Sequence, residues 1–554
     1  MPTTSKKIVL VASDSESSEY RRSNWRQMLL ATLPARYARY IGPDWSVKNE
    51  VAPDGRARYV PQGLRIVESL LLQHFAPEEI AVCYTDQLEN FVGEETRIIG
   101  IHAHNPLGVT FTSDSYSCFY GGNAEPINAY EFRRMILHPA IQRHKPHLKI
   151  VVGGPGAWQI ESKGLQDEWG VDCLVDGEAE DVALPLFESA LRGEALPRKV
   201  QGHSPDLDHI PPTHHRATFG GVEITRGCGR GCQFCSVALR TGHSVPLDQI
   251  LHNVRVQVAE GGDTVMMTTE DLFLYEQGPR FRTNVPALKR LFESVAGVDG
   301  LKHIILSHAT LAPVVRDPRV IEELSPIAVG MSVHQHEDST HHQKRFASMI
   351  VGIETGSTRL FKERMKGKAY PFRPEQWPEV VLKAMEILNK HNWFPLCTFI
   401  IGLPGETRED TKQSLDLLFA LRDAKWCVVP ALFVPMEGTR LASGTRADLS
   451  SFTDLQWEFF FTCWRYNLDF FRRTRGVQWK YNLGVPLYYY LLGKKLFGPV
   501  IKHPLLRLAH YPERMLRNKL YLDFSPGSVA KLRTPETVEV PDERGNLMFS
   551  ILED

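Results

Sequence analysis

Three cysteines within eight residues constrain this chain more than any other feature. Cys228, Cys232 and Cys235 lie in Thr225-Arg-Gly-Cys-Gly-Arg-Gly-Cys-Gln-Phe-Cys, spaced C-x3-C-x2-C. A strand-like stretch, Gly221-Val-Glu-Ile-Thr, precedes them and a helix-like one, 246–259, follows. Three thiolates on one short loop can converge on one metal centre. Gly227, Gly229 and Gly231 let that loop wrap closely. Structural zinc normally takes four protein ligands, and no fourth Cys or His stands at finger-like spacing, although His243 is near. A four-iron cluster held by three cysteines leaves one iron open to an external ligand. The cluster reading is preferred over zinc and over three coincident core cysteines.

The chain has nine cysteines, and the other six (Cys83, Cys118, Cys173, Cys397, Cys427, Cys463) are scattered through apolar surroundings. Such residues read as buried free thiols. No signal-like core and no apolar run of bilayer length is evident, the longest candidate being Tyr481 to Gly493. A reducing cytoplasmic setting is expected, with peripheral contact at the inner membrane face left open.

The 554 residues suggest three or four domains. Residues 1–200 alternate short apolar runs with helical stretches, which predicts a parallel α/β sheet. Residues 201–221, rich in Pro, His, Gly and Asp, read as a linker. Residues 222–445 repeat the alternation through about six βα units, too few for a closed eight-stranded barrel. Residues 446–554 become helical, aromatic and basic, with a polar tail from about 525. The histidines of 334–346 (His334, His336, His341, His342), with His308, raise the question of a metal; the polar run reads better as a mobile loop at the barrel mouth.

The cysteine segment resembles the radical S-adenosylmethionine superfamily, whose signature places an aromatic residue before the last cysteine. Phe234 stands there. Later motifs fall in order: Thr268-Thr-Glu-Asp, Gly352-Ile-Glu-Thr-Gly-Ser, Ile400-Ile-Gly-Leu-Pro-Gly-Glu-Thr and Val434-Pro-Met-Glu-Gly-Thr-Arg-Leu. The resemblance implies a [4Fe-4S] cluster on Cys228, Cys232 and Cys235. It implies S-adenosylmethionine contacts at Phe234, Thr269, Glu270, Glu354, Ser357 and Gly402. It also implies an external one-electron reductant of flavodoxin or ferredoxin type. The chemistry implied is reductive cleavage of a carbon–sulfur bond, giving a 5′-deoxyadenosyl radical that abstracts hydrogen from an unactivated carbon.

Residues 1–200 resemble the Rossmann-like cobalamin-binding domain of the B12-dependent members of that superfamily. The residues concerned are Arg97-Ile-Ile-Gly-Ile-His-Ala-His, Val151-Val-Gly-Gly-Pro-Gly-Ala-Trp and Val175-Asp-Gly-Glu-Ala-Glu-Asp. Glycines at strand C-termini let backbone approach a flat cofactor. Gly153, Gly154, Gly156, Gly177 and Glu178 are therefore candidate cobalamin contacts. The Asp-x-His-x-x-Gly pattern that supplies an axial histidine in many cobalamin proteins is missing; Ala12-Ser-Asp-Ser-Glu-Ser-Ser stands in its place. His102 and His104 are the alternatives, with ordinary loop histidines the better reading. The segment Asn105 to Asn123 reads as a corrin-facing or a plain surface loop.

Net charge is −1, but its distribution is uneven. Residues 465–519 hold twelve Lys and Arg against two acids, a charge of +10, so the remaining chain carries −11. Cations interleaved with Phe470, Trp479, Tyr488, Tyr489 and Tyr490 suit contact with anionic lipid or a lipid-like substrate. A helical cap on the barrel is the close alternative, and nucleic acid a lesser one. The combined reading is a cobalamin-dependent radical S-adenosylmethionine enzyme. Methyl transfer to an unactivated carbon of a hydrophobic small molecule (lipid, terpenoid or tetrapyrrole-like) is the favoured activity. Cyclisation, rearrangement or carbon–carbon coupling, tRNA methylthiolation and a non-enzymatic corrinoid or cluster sensor are the alternatives.

Overall fold

The computed structural model describes residues 5–19, 31, 33–35, 49–117, 125–205, 210–337, 342–447 and 451–475. Two compact units divide the chain: Met1–Val222 with Val245–Val265, and Glu223–Ser244 with Met266–Asp554.

The first unit is built on β1 (Ile8–Ala12), β2 (Ile80–Cys83), β3 (Ile98–His102), β4 (Lys149–Gly153), β5 (Cys173–Asp176) and β6 (Lys199–Gln201). Their order is β2-β1-β3-β4-β5-β6, and every pairing is parallel. Helices cover both faces of such a sheet, so its strands need continuous apolar runs. β1, Ile-Val-Leu-Val-Ala, buries all five residues. Leu10 sits between Val82 and Gly100 in register. Position 100 must be small, because Leu10 and Phe187 fill the space a side chain would take. Val9, Val11, Ile99 and Ile101 meet Phe132 and Met135 on one face; Ile8 and Leu10 meet Leu64, Leu71 and Phe187 on the other. Winding reverses between β1 and β3. Sheets of this type bind ligands outside the strand carboxyl ends at that reversal.

The Pro- and His-rich stretch ends in an ordered clasp. Asn253 Oδ1, on helix Leu247–Ala259, accepts both the N–H and the hydroxyl of Thr213. Gln257 of the same helix accepts the Ala217 N–H.

The strands that follow are β7 (Gly221–Glu223), β8 (Thr225–Arg226), β9 (His243–Ser244), β10 (Thr264–Thr268), β11 (His303–Leu306), β12 (His308–Ala309), β13 (Gln335–Glu337), β14 (Gln343–Arg345), β15 (Ile350–Glu354), β16 (Leu396–Ile401) and β17 (Cys427–Leu432). The sheets β11-β10-β7 and β12-β15-β16-β17 run in chain order, and Ser307 alone separates β11 from β12. Six strand positions in series, alternating with helices, make the partial (β/α)6 barrel that the sequence predicts.

One expectation is corrected. The histidine-rich stretch is an antiparallel hairpin, β13 on β14, with Gln335 opposite Arg345, and not a loop throughout. His336 is buried, 5.2 Å from the Phe394 ring and 5.9 Å from Phe346, and His334 stacks on Phe346 at 5.4 Å. These imidazoles serve as aromatic packing surface, which the polar composition of the stretch concealed. Among the described residues, three metal-type ligands converge at Glu94, His144 and His147 and not at these histidines; residues 338–341, His341 included, lie outside the described residues.

Helix Asp454–Arg475 closes the exposed edge of β17. Asn467 Oδ1 accepts the Val428 N–H at 2.7 Å while its amide donates to the Val428 carbonyl. Phe459 packs on Phe399 at 5.2 Å. Among the described residues no helix is long and apolar enough to cross a membrane. The basic aromatic segment 465–519 lies outside the described residues beyond 475, as does the tail.

Candidate active site

The cysteine loop starts where β8 ends. Gly227, Gly229 and Gly231 adopt φ of 75°, 69° and 73°. At Gly227 the need is steric, since a Cβ would strike the Thr241 carbonyl. A side chain at position 231 would point into open space. Cys232 is buried; Cys228 and Cys235 are partly exposed. Burial pushes the Cys228 thiol up to about 11 and that of Cys232 up to about 12. Free, these thiols hold their protons at neutral pH, so loading a metal must displace them.

Arg230, between the first two cysteines, anchors the loop. Its guanidinium is buried; Nε donates to Asp271 Oδ2 at 3.0 Å, with Nη2 2.9 Å from the same oxygen. Asp271 also accepts the Thr310 hydroxyl at 2.7 Å and the N–H groups of Thr310 and Phe273. Gln233 is tied to helix Thr358–Met365: its N–H donates to the Arg364 carbonyl and its amide to the Glu363 carbonyl. Phe234 is half-buried.

Thr269 and Glu270 follow β10. Thr269 exchanges bonds with Ser307, its N–H donating to the Ser307 hydroxyl and its carbonyl accepting from it, both at 2.9 Å. Its hydroxyl meets that of Thr225. Thr269 thus laces the strand ends together. Glu270 is different: Oε2 is buried with no hydrogen-bond partner. Burial, with the nearby Glu223 charge adding to it, lifts this carboxyl to about 7. An orphaned carboxylate oxygen of this kind fits an incoming ammonium group.

Glu354 ends β15 with a left-handed φ of 66°, at a register slip after Gly352. Its Oε1 accepts from Lys368 Nζ at 2.7 Å and its Oε2 from the Thr398 hydroxyl at 3.1 Å. A Cβ at 352 would displace this carboxylate and the ammonium. Ser357 is wholly buried; it caps helix Thr358–Met365, accepting the Leu360 N–H at 3.1 Å and donating to Asp410 at 2.5 Å. Its hydroxyl secures the helix. Gly402, φ 79°, turns the chain after β16 and donates its N–H to Glu406. The structure adds Arg230, Lys368 and Thr398, which the motifs did not supply. Arg230 was readable as the one charge among loop glycines. Lys368 lies fourteen residues beyond Glu354, with no local pattern to link them.

In the first unit, glycine is explained by backbone packing on backbone. A Cβ on Gly154 (φ 107°) would meet the Ala103 carbonyl at 2.7 Å; on Gly156 it would strike the His104 carbonyl, and on Gly177 (φ 101°) the Gly202 carbonyl. Gly153 has room, with Val175 at an ordinary 3.5 Å. Glu178, next along, is half-buried. His102 Nδ1 is 3.0 Å from Glu16 Oε2, and Glu16 Oε1 accepts the N–H groups of His104 and Asn105 at 2.9 and 3.2 Å. Glu16 sits in the turn after β1, so its carboxylate bridges the winding reversal. Burial alone would raise that carboxyl; the bonds from His102 and the backbone outweigh it and hold it below its ordinary range. His104 is exposed. Asn105 orders the following segment: Oδ1 accepts the Val109 and Thr110 N–H groups and Nδ2 donates to Ser113 at 2.6 Å. Residues 118–124, with Cys118, lie outside the described residues.

Residues 222–418 match the family description Radical SAM superfamily. This segment is a radical SAM domain. Such a domain works with a [4Fe-4S] cluster and S-adenosylmethionine. The residues fit both: three thiols on an open-sided glycine loop, and the orphaned oxygen of Glu270. Relatives of known function include the ribosomal protein uS12 methylthiotransferase RimO of Pseudomonas putida (strain F1), 25% identical over 234 residues, 41% of this chain and 47% of RimO. A second is the tRNA-2-methylthio-N(6)-dimethylallyladenosine synthase of Alteromonas mediterranea, 26% identical over 286 residues, 51% of this chain and 54% of that one. The chain thus spans about half the length of the curated relatives it matches. Among solved structures, the radical S-adenosylmethionine methyltransferase TsrM from Kitasatospora setae, with cobalamin and a [4Fe-4S] cluster bound, superposes with a TM-score of 0.51. It is 14% identical, and the match covers 79% of this chain and 74% of TsrM. The radical SAM domain shares its fold.

Proposed function

We propose that the protein is a cobalamin-dependent radical S-adenosylmethionine methyltransferase acting on a carbon of a hydrophobic small molecule. One observation carries this reading: a sheet of order β2-β1-β3-β4-β5-β6 precedes a three-cysteine barrel in the same chain. The first is a cofactor-binding architecture with its site at the β1/β3 reversal. There the turn after β1 places a wholly buried Ser17 Oγ with no partner among the described residues, a group that suits the amide-rimmed edge of a corrin.

When bound, the cluster and S-adenosylmethionine supply one-electron carbon chemistry, and cobalamin a methyl carrier. The chain's own residues have separable tasks. Cys228, Cys232 and Cys235 hold the iron, and Arg230 with Asp271 fixes the loop that carries them. Glu270 pairs with the methionyl ammonium. Glu354, aligned by Lys368 and Thr398, would contact the rest of the same ligand. In the first unit Gly153, Gly154, Gly156, Gly177 and Glu178 are the candidate corrin contacts. His102 is held by Glu16. The reductant is external, of flavodoxin or ferredoxin type. The +10 segment 465–519 is proposed to bring the protein to anionic lipid, where such a substrate resides; liposome flotation with and without it reads this out.

Anaerobic purification and reconstitution with iron, sulfide and hydroxocobalamin test the reading. Retention of both cluster and corrinoid is expected; retention of neither ends it. A second reading, methylthiolation, is favoured by the sequence relatives. Methyl transfer without sulfur insertion separates the two.

A further inference from the structure

Backbone strain in the second unit gathers in one short segment. Six described non-glycine residues have left-handed φ, and three of them are Glu276 (45°), Arg280 (57°) and Phe281 (54°). Side chains disfavour this region, and such residues persist only where their surroundings over-determine them. The surroundings do so here. The Glu276 N–H donates to Ser244 Oγ at 2.7 Å, and the Asn284 amide donates to the Glu276 carbonyl at 3.0 Å. The Gly278 N–H closes onto the Arg282 carbonyl at 2.8 Å. Arg316 donates to the Arg280 carbonyl at 3.1 Å.

The strained conformation delivers one ring. The Arg230 guanidinium lies 4.9 Å from the centroid of Phe281. The Phe281 ring edge is 3.9 Å from where a Cβ on Gly229 would stand. Tyr370 meets the ring edge-on at 6.1 Å. Phe281 therefore covers Gly229 and Arg230, two of the three spacer residues between Cys228 and Cys232. The ring rests on the spacer, so its effect on iron is indirect. An apolar shell controls water access to a metal site, and with it the site's stability and potential.

We propose that Glu276–Arg282 is a rigid strap and that Phe281 is a positioning residue, the apolar cover that keeps water and dissolved reagents from the cluster. This rests on the cluster reading above. The test is the rate at which a ferrous chelator strips iron from reconstituted wild type, F281A and F281L, alongside their unfolding midpoints. F281A is expected to load the same iron with the same spectrum and lose it about tenfold faster. F281L, which keeps an apolar cover, is expected to return most of the protection. Wild-type loss rates in a fully loaded F281A would overturn the proposal. So would equal acceleration in F281A and F281L that tracks a common fall in unfolding midpoint, because Phe281 would then be plain packing. Failure of the wild type to take up any cluster is a different result, which removes the cluster reading and this proposal together.

Discussion

Arg230 and Asp271 set opposite charges where neither meets water, their side chains 1% and 0% exposed. Removing one partner of such a pair strands the other, at a cost of about 3–5 kcal/mol. Asp271→Asn is expected to lower stability by about 3 kcal/mol, read by thermal unfolding of the cluster-free protein, and to impair iron loading in parallel. An unchanged melting curve would show that the loop does not depend on the pair. Glu270 gives a pH signature. Its folded pKa, about 7, stands above its ordinary 4.5, so the fold favours the protonated form. That contribution is full below about 4.5 and is lost as pH rises through about 7. Glu270→Gln removes the titration: the variant is expected to match wild type near pH 4.5 and to melt higher at pH 8. Parallel pH profiles would contradict the assignment. At this scale the sequence revealed the cysteines and glycines, whose roles follow from local spacing. It hid Thr398, whose role depends on strands β15 and β16 lying side by side, and Lys368, which reaches Glu354 from the turn after helix Thr358–Met365.

Elements were legible where one period dominates. The five apolar residues of β1 read directly as a buried strand, and the βα alternation read directly as the barrel. The hairpin β13–β14 was illegible, since its imidazoles pack as aromatic rings against Phe346 and Phe394, a tertiary fact no polar count contains. Helix Asp454–Arg475 also acts through one unadvertised residue. Asn467 supplies β17 with the hydrogen bonds a neighbouring strand would give at Val428, and Cys427 donates to the same oxygen. Asn467→Ala leaves buried backbone groups unpaired, each costing about 1–3 kcal/mol. Faster amide exchange along β17, with β15 unchanged, is expected by hydrogen-exchange mass spectrometry. Uniform protection would mean that the helix covers the strand without this clasp.

For the whole molecule, the decisive question is how many clusters the chain can hold, because a second one would favour the methylthiolation reading. The candidates for further ligands are Cys83, Cys118 and Cys173. Cys83 ends β2 and Cys173 begins β5, both fully buried. The order β2-β1-β3-β4-β5 puts three strands between them. At about 4.8 Å per strand, that is about 19 Å, far beyond the span of one cluster. The strand order keeps these two from sharing a cluster, whatever Cys118 contributes. Iron content per chain is therefore expected to correspond to one cluster after anaerobic reconstitution. Alanine at Cys228, Cys232 or Cys235 is expected to abolish it. The double variant C83A/C173A is expected to keep it in full, losing only about 1 kcal/mol of packing per site. Iron equivalent to two clusters, falling by half in C83A/C173A, would instead join those cysteines in a second site and return the protein to the methylthiotransferases.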